Sequence, residues 1–144
     1  MENRKVQLQT SSCYEHVAIV SKGICTMIQS CYDAEELLGA IELSFVEVAN
    51  NVVEHAYRNE KNHGIEYELE LSGGEVALTI IDSGSPMPAE NMAKEIDWDS
   101  LDKDDSASWE TSGRGIQIVK DLMDEVSYWS DSGRNYFKMV KRVS

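Results

Sequence analysis

Apolar residues along the chain follow two rhythms in succession, and each predicts its own kind of element. Val6 and Leu8 alternate with Gln7 and Gln9, as in a short strand. Val17, Val20, Ile24, Met27, Ile28 and Cys31 then recur at helical spacing and predict an amphipathic helix over residues 15–32. Asp33-Ala34-Glu35-Glu36 has the form of a capping box and opens a second helix. That helix runs to about Tyr57, because no proline interrupts it and Gly39 is its one weak point. Leu38, Ile41, Phe45, Val48 and Val52 form its core stripe.

From Ile65 onward the period becomes two. Ile65, Tyr67, Leu69 and Leu71 alternate with acids, Ser72-Gly73-Gly74-Glu75 turns the chain, and residues 76–81 return as a second strand. Residues 82–112 contain Pro86, Pro88 and many acids. Apart from a short helix near 89–96 they read as a loop of the length used for lids and binding segments. Ile116, Val119, Leu122 and Met123 mark a further helix, and 126–129 and 136–140 are strands joined by a turn over 131–135. This order predicts one domain over residues 1–144. Its expected architecture is a two-layer α/β sandwich, with a mixed, mostly antiparallel sheet covered on one face by helices. It lacks the alternation of a Rossmann sheet, and no Walker A sequence occurs.

Composition narrows the class. Hydrophobic residues make up 42% of 144, enough for a real core. No run of about 18 apolar residues suggests a membrane span, and no apolar stretch behind Met1-Glu2-Asn3-Arg4-Lys5 suggests a signal peptide. Cys13, Cys25 and Cys31 form no CxxC pair and build no metal cluster with His16, His55 and His63, so reduced thiols in the cytoplasm are expected. A net charge of −13 repels phosphate backbones, which disfavours nucleic acid and favours a protein partner with a basic patch.

Three polar elements carry the candidate chemistry. On the second helix Glu47, Asn51 and His55 follow one another at i+4 spacing, forming a seam away from the core stripe. An amide oxygen on Asn51 suits a magnesium ion that draws its other ligands from phosphate and water. A carboxylate one turn earlier, Glu47, suits proton acceptance from an attacking hydroxyl. Asp82, at a strand end before Ser83-Gly84, can accept the N6 hydrogen of adenine, and Gly84 would let a base approach the backbone. Gly113-Arg114-Gly115 is expected as a turn before a helix. There, backbone N–H groups and the Arg114 charge would meet phosphate.

Residues 46–57, with Glu47, Asn51 and the His55-Ala56-Tyr57 run, resemble the N box of GHKL ATPases. The likeness is nearest to the anti-sigma factor serine/threonine-protein kinase branch. Asp82 and Gly84 match the G1 box, and Ser112-Gly113-Arg114-Gly115-Ile116 with Leu122-Met123-Asp124-Glu125-Val126 matches the G2 region. The resemblance implies a Bergerat fold that binds Mg-ATP between the long helix and a lid. Glu47 would be the general base, Asn51 the magnesium ligand and Asp82 the adenine reader. Gly84, Gly113, Arg114 and Gly115 would surround the nucleotide, and His55 belongs to the same motif.

The same resemblance implies phosphorylation of a serine or threonine on a STAS-domain anti-sigma factor antagonist. Sequestration of a sigma factor or other regulator and homodimerisation are also implied. The alternative is an ATP-binding switch without phosphoryl transfer. Ser85-Pro86 departs from the family by standing where a further glycine is usual. Glu95, Asp97, Asp99, Asp102, Asp104, Asp105 and Glu110 make the lid segment strongly acidic, so these side chains are expected to face solvent or a basic partner.

Overall fold

The computed structural model describes residues 3–33, 35–93 and 108–143, giving the backbone alone at 93 and 108–114. The acidic lid segment and Ala34 of the capping box therefore lie largely outside the described residues. The chain forms β1 (Arg4–Ser11), α1 (Tyr14–Gln29), α2 (Glu35–Asn51) and a π-helical turn (Val52–Ala56). It continues through β2 (Gly64–Leu71), β3 (Glu75–Asp82), α3 (Ala89–Ala93), α4 (Ser108–Leu122), β4 (Glu125–Asp131) and β5 (Arg134–Arg142). Among the described residues no helix is long and apolar enough to cross a membrane.

The five strands form one sheet in the order β1-β2-β3-β5-β4, and every pairing is antiparallel. A mixed sheet was expected, and the connections explain the difference. The pair α1 and α2 returns the chain so that β2 runs against β1, and tight turns join β2 to β3 and β4 to β5. Across α4, β3 and β4 do run in the same direction, but β5 lies between them. The β4–β5 turn is shorter than 131–135. Ser132 (φ 54°) and Gly133 (φ 80°) form a two-residue left-handed turn, so Arg134 and Asn135 belong to the strand.

The helices bury their apolar stripes on the inner face of the sheet. Val17, Ile24 and Ile28 of α1, Ile41, Phe45 and Val48 of α2, and Ile116 and Val119 of α4 meet Ile65, Tyr67, Leu78, Ile80 and Met139. Phe45 and Tyr67 pack ring to ring at 5.4 Å. The first turn of the α2 stripe uses Leu37, four residues before Ile41, while Leu38 is half-buried at its edge.

One helical boundary shapes everything that follows. The predicted second helix continues past Asn51, but as a wider turn in which Tyr57 N–H donates to Val52 O at 3.0 Å. Arg58 (φ 51°) and Asn59 (φ 64°) then reverse the chain in the left-handed region. Asn59 N–H closes this reversal on Val53 O at 2.8 Å.

Candidate nucleotide-binding site

A cleft of about 410 Å³ lies between the end of α2 and the loop that follows β3, a size typical of small-molecule sites. Val48, Asn51, Val52, Glu54, His55, Ala56 and Arg58 line one wall, and Asp82, Ser85, Pro86, Met87, Pro88 and Asn91 line the other. Ile116, Tyr128 and Phe137 add apolar surface.

Asp82 is 6% exposed, at the last position of β3. Its Oδ1 accepts hydrogen bonds from Gly84 N (2.9 Å) and Asn135 Nδ2 (2.8 Å), whereas Oδ2 accepts none among the described residues. Burial pushes the carboxyl above its ordinary value, and the Asn135 and Gly84 hydrogen bonds pull it partly back. Gly84 also serves a close approach within the chain. A Cβ there would overlap Ala56 O and lie 2.7 Å from Ala56 C and 2.9 Å from Tyr57 Cδ1. The missing side chain thus lets the loop close on the π turn, where Ser85 N–H reaches Ala56 O at 3.0 Å.

Asn51 lines the cleft and is half-buried. Glu47, one turn earlier, points across to α4. A Cβ on Gly115 would overlap Glu47 Oε2, and would stand 3.3 Å from Glu47 Cδ and 3.9 Å from Asn51 Nδ2. Two residues one turn apart on α2 therefore meet a glycine distant in sequence, but Glu47 is not part of the cleft wall itself. His55 does line the cleft, with Nε2 3.9 Å from Glu54 Oε2.

The turn expected at Gly113-Arg114-Gly115 is helix instead. These residues lie inside α4, which begins five residues earlier at Ser108, and are not a turn before its start. An interior glycine costs a helix about 1 kcal/mol, and no proline stands nearby to stop it. The buried stripe Ile116, Val119 and Met123 holds the helix on the core. At Gly115 the glycine provides room for Glu47; the side chain of Arg114 lies outside the described residues.

Asn135 and Tyr128 escaped the sequence reading as site residues, and Tyr57 entered it only as the end of the His55-Ala56-Tyr57 run. Asn135 pairs with Asp82 in the strand register, gives its second N–H to Gly84 O (3.0 Å) and accepts from Ser130 Oγ (2.6 Å). It shares the inward phase of Phe137 and Met139, so a polar residue in an apolar alternation was the available signal. Tyr57 Oη accepts from Ser83 N and donates to Gly64 O, both at 2.7 Å, and its ring stacks on His63. Tyr128 Oη accepts from Met87 N at 2.7 Å and fastens the far end of the loop.

This donor set fits a magnesium nucleotide. Among the described residues no three His, Cys, Asp or Glu side chains are grouped to hold a metal alone. Asn51, with Glu47 behind it, suits an ion that takes most of its ligands from phosphate and water. The unused Oδ2 of Asp82 belongs to a residue that lines the cleft, and it is an acceptor available to an N–H donor there.

The family model described as a histidine kinase-like ATPase domain matches residues 11–141. Similar curated proteins include the serine-protein kinase RsbW of Staphylococcus aureus strain bovine RF122 / ET3-1, 25% identical over 133 residues, 89% of this chain and 80% of that protein. The RsbW of strain MRSA252 is equally similar. Among solved structures, the RsbU and RsbW domains of Rv1364c from Mycobacterium tuberculosis superpose with TM-score 0.68 at 15% identity over 97% of this chain. This chain spans 32% of that longer chain's length. The SiaB–SiaC complex from Pseudomonas aeruginosa gives TM-score 0.63 at 9% identity, covering 96% of this chain and 89% of that one. At such identities the solved structures show a shared fold.

Proposed function

The chain belongs to the histidine kinase-like ATPase domain family, and from that premise we propose that it is a serine/threonine kinase of a partner-switching module. It would bind Mg-ATP in the cytoplasm and phosphorylate a serine or threonine of a STAS-domain anti-sigma factor antagonist. The observation that carries this reading is the meeting of Glu47 and Gly115 with Asn51, which lines the same cleft as Asp82. Relatives named as serine-protein kinases, at 25% identity, support it.

Each residue then has a separable task. Bound Mg-ATP supplies the phosphoryl group and the metal charge that offsets its negative oxygens. Oδ2 of Asp82 accepts an N–H of the base, while Val52, Ile116, Met87 and Phe137 provide the apolar walls. Asn51 would place its amide oxygen among the magnesium ligands. Glu47 would hold the proton released by the antagonist hydroxyl. From within α4 the Arg114 charge would meet the phosphates, and Gly113 and Gly115 would keep side-chain bulk away on either side of it, with His55 and Arg58 on the cleft wall that follows α2. A sigma factor or other regulator is the competing partner, and the working unit is a homodimer.

Glu47 abuts α4 and does not line the cleft, which favours a second reading, an ATP-binding switch without transfer. Incubation of the purified chain with magnesium, γ-labelled ATP and a STAS-domain antagonist separates the two. Label on an antagonist serine or threonine is expected, lost in Glu47→Ala while ATP binding remains. ATP binding with no label on any antagonist supports the switch, and transfer retained in Glu47→Ala removes the base role.

A further inference from the structure

Asn135 stands one strand away from the residue that would read the base, and every hydrogen-bonding group of its side chain is used. Its two N–H groups go to Asp82 Oδ1 (2.8 Å) and Gly84 O (3.0 Å), and its Oδ1 accepts from the Ser130 hydroxyl (2.6 Å). It is 3% exposed. The reverse amide orientation would set oxygen against a carboxylate and a carbonyl, so the network fixes which end is the donor. Gly84 N–H adds a second donor to the same Oδ1 at 2.9 Å. Both donors thus occupy one oxygen and fix the carboxylate plane. The other oxygen is left as an acceptor.

We propose that Asn135, itself held by Ser130, is the positioning residue that makes the cleft selective for 6-amino over 6-oxo purine nucleotides. It rests on the nucleotide reading of the cleft. Oδ2 of a fixed, ionised Asp82 attracts the N–H of an adenine amino group and repels the carbonyl oxygen of hypoxanthine or guanine. Without Asn135 only Gly84 N–H holds the carboxyl, which then turns about its own bond or takes up a proton more easily. A carboxylic O–H then donates to a 6-oxo group as readily as the carboxylate accepts from a 6-amino group. Selectivity is therefore a property of the Ser130–Asn135–Asp82 chain, with Asp82 alone supplying only an acceptor of undetermined direction. The Gly84 carbonyl bond ties the same amide to the loop, so base selectivity and loop position are set together.

Calorimetric titration with Mg-ATP and with Mg-ITP tests this in wild type, Asn135→Leu and Ser130→Ala, with the melting temperature of each recorded. Ser130 lies on an exposed strand, so its variant is the mild perturbation. Wild type is expected to prefer ATP by roughly tenfold or more, the discrimination that one buried hydrogen bond supplies. In Asn135→Leu the preference should shrink to within about threefold, through both a loss for ATP and a gain relative to it for ITP; Ser130→Ala should fall between. A purely structural role would weaken both nucleotides together and leave their ratio unchanged, and that result in either folded variant overturns the proposal. If wild type binds neither nucleotide, it is the nucleotide reading that fails. If wild type binds ATP and the variants keep the full preference, only the role of Asn135 fails.

Discussion

Gly115→Ala separates the stability of this fold from its chemistry. The added methyl overlaps Glu47 Oε2 and lies 3.3 Å from Glu47 Cδ, the far end of a flexible side chain, and clears Asn51 Nδ2 at 3.9 Å. Two small terms oppose each other in stability. Alanine in the helix interior gains about 1 kcal/mol over glycine. Pushing Glu47 off its rotamer costs about 0.5–1.5 kcal/mol. At about 2.1 cal/mol/K of unfolding entropy per residue, a chain of this length shifts about 3 °C per kcal/mol, so the melting temperature should stay within that margin. The reaction has no such compensation. A displacement of about 1 Å at a reacting group typically costs a factor of about 100, and a general base is worth about 100 to 10,000. Transfer to the antagonist should therefore fall about 100-fold, while calorimetric ATP affinity, which depends on Asp82 and Asn51, changes little. Unchanged melting with transfer within about threefold of wild type would refute the assignment of Glu47 to the reacting hydroxyl. A drop beyond about 6 °C would refute the packing reasoning.

Gly84→Ala should behave in the opposite way, because its Cβ meets the Ala56 backbone, which cannot swing aside. Overpacking of this kind costs about 1–3 kcal/mol, so a melting temperature lower by about 3–9 °C is expected, with the Ser85–Ala56 hydrogen bond opened in amide exchange. Asp82→Asn keeps an acceptor for Gly84 N and Asn135 Nδ2 and removes the buried charge. Burial raises the Asp82 carboxyl above 3.8, so the folded chain holds this proton more tightly than the unfolded one. That contribution to stability is complete below 3.8 and is lost as pH rises through the raised value. The variant does not titrate there. Its melting temperature should gain on wild type as pH rises across that window, and an equal offset at every pH would contradict the burial argument.

Periodicity carried the fold a long way because most of its core is made by simple stripes. Val17, Ile24 and Ile28 on one helix and Ile65, Tyr67 and Leu69 on one strand are buried where spacing alone put them. The π turn at Val52–Ala56 was not legible, since Val52 and Val53 satisfy an ordinary helical stripe as well as a wider turn. Its effect is to bring Glu54, His55 and Arg58 to the same cleft. Glycine carried an ambiguous signal. At Gly84 and Gly115 it marks close approach to Ala56 and Glu47, a tertiary fact that no local pattern contains. Gly113 and Gly115 were expected in a turn, yet the helix passes through both because Ile116 and Val119 anchor it downstream. Asn135 was hidden by its neighbours Asp131-Ser132-Gly133, whose turn chemistry extended the expected loop by two residues.

Calorimetric titration of Mg-ATP into the wild-type chain and into Asp82→Ala is the most direct test of the nucleotide cleft. One site per chain is predicted for wild type, with affinity lower by about 100-fold or more in the variant, the penalty for a base donor that loses its acceptor. No binding by wild type, or equal binding by Asp82→Ala, would contradict it.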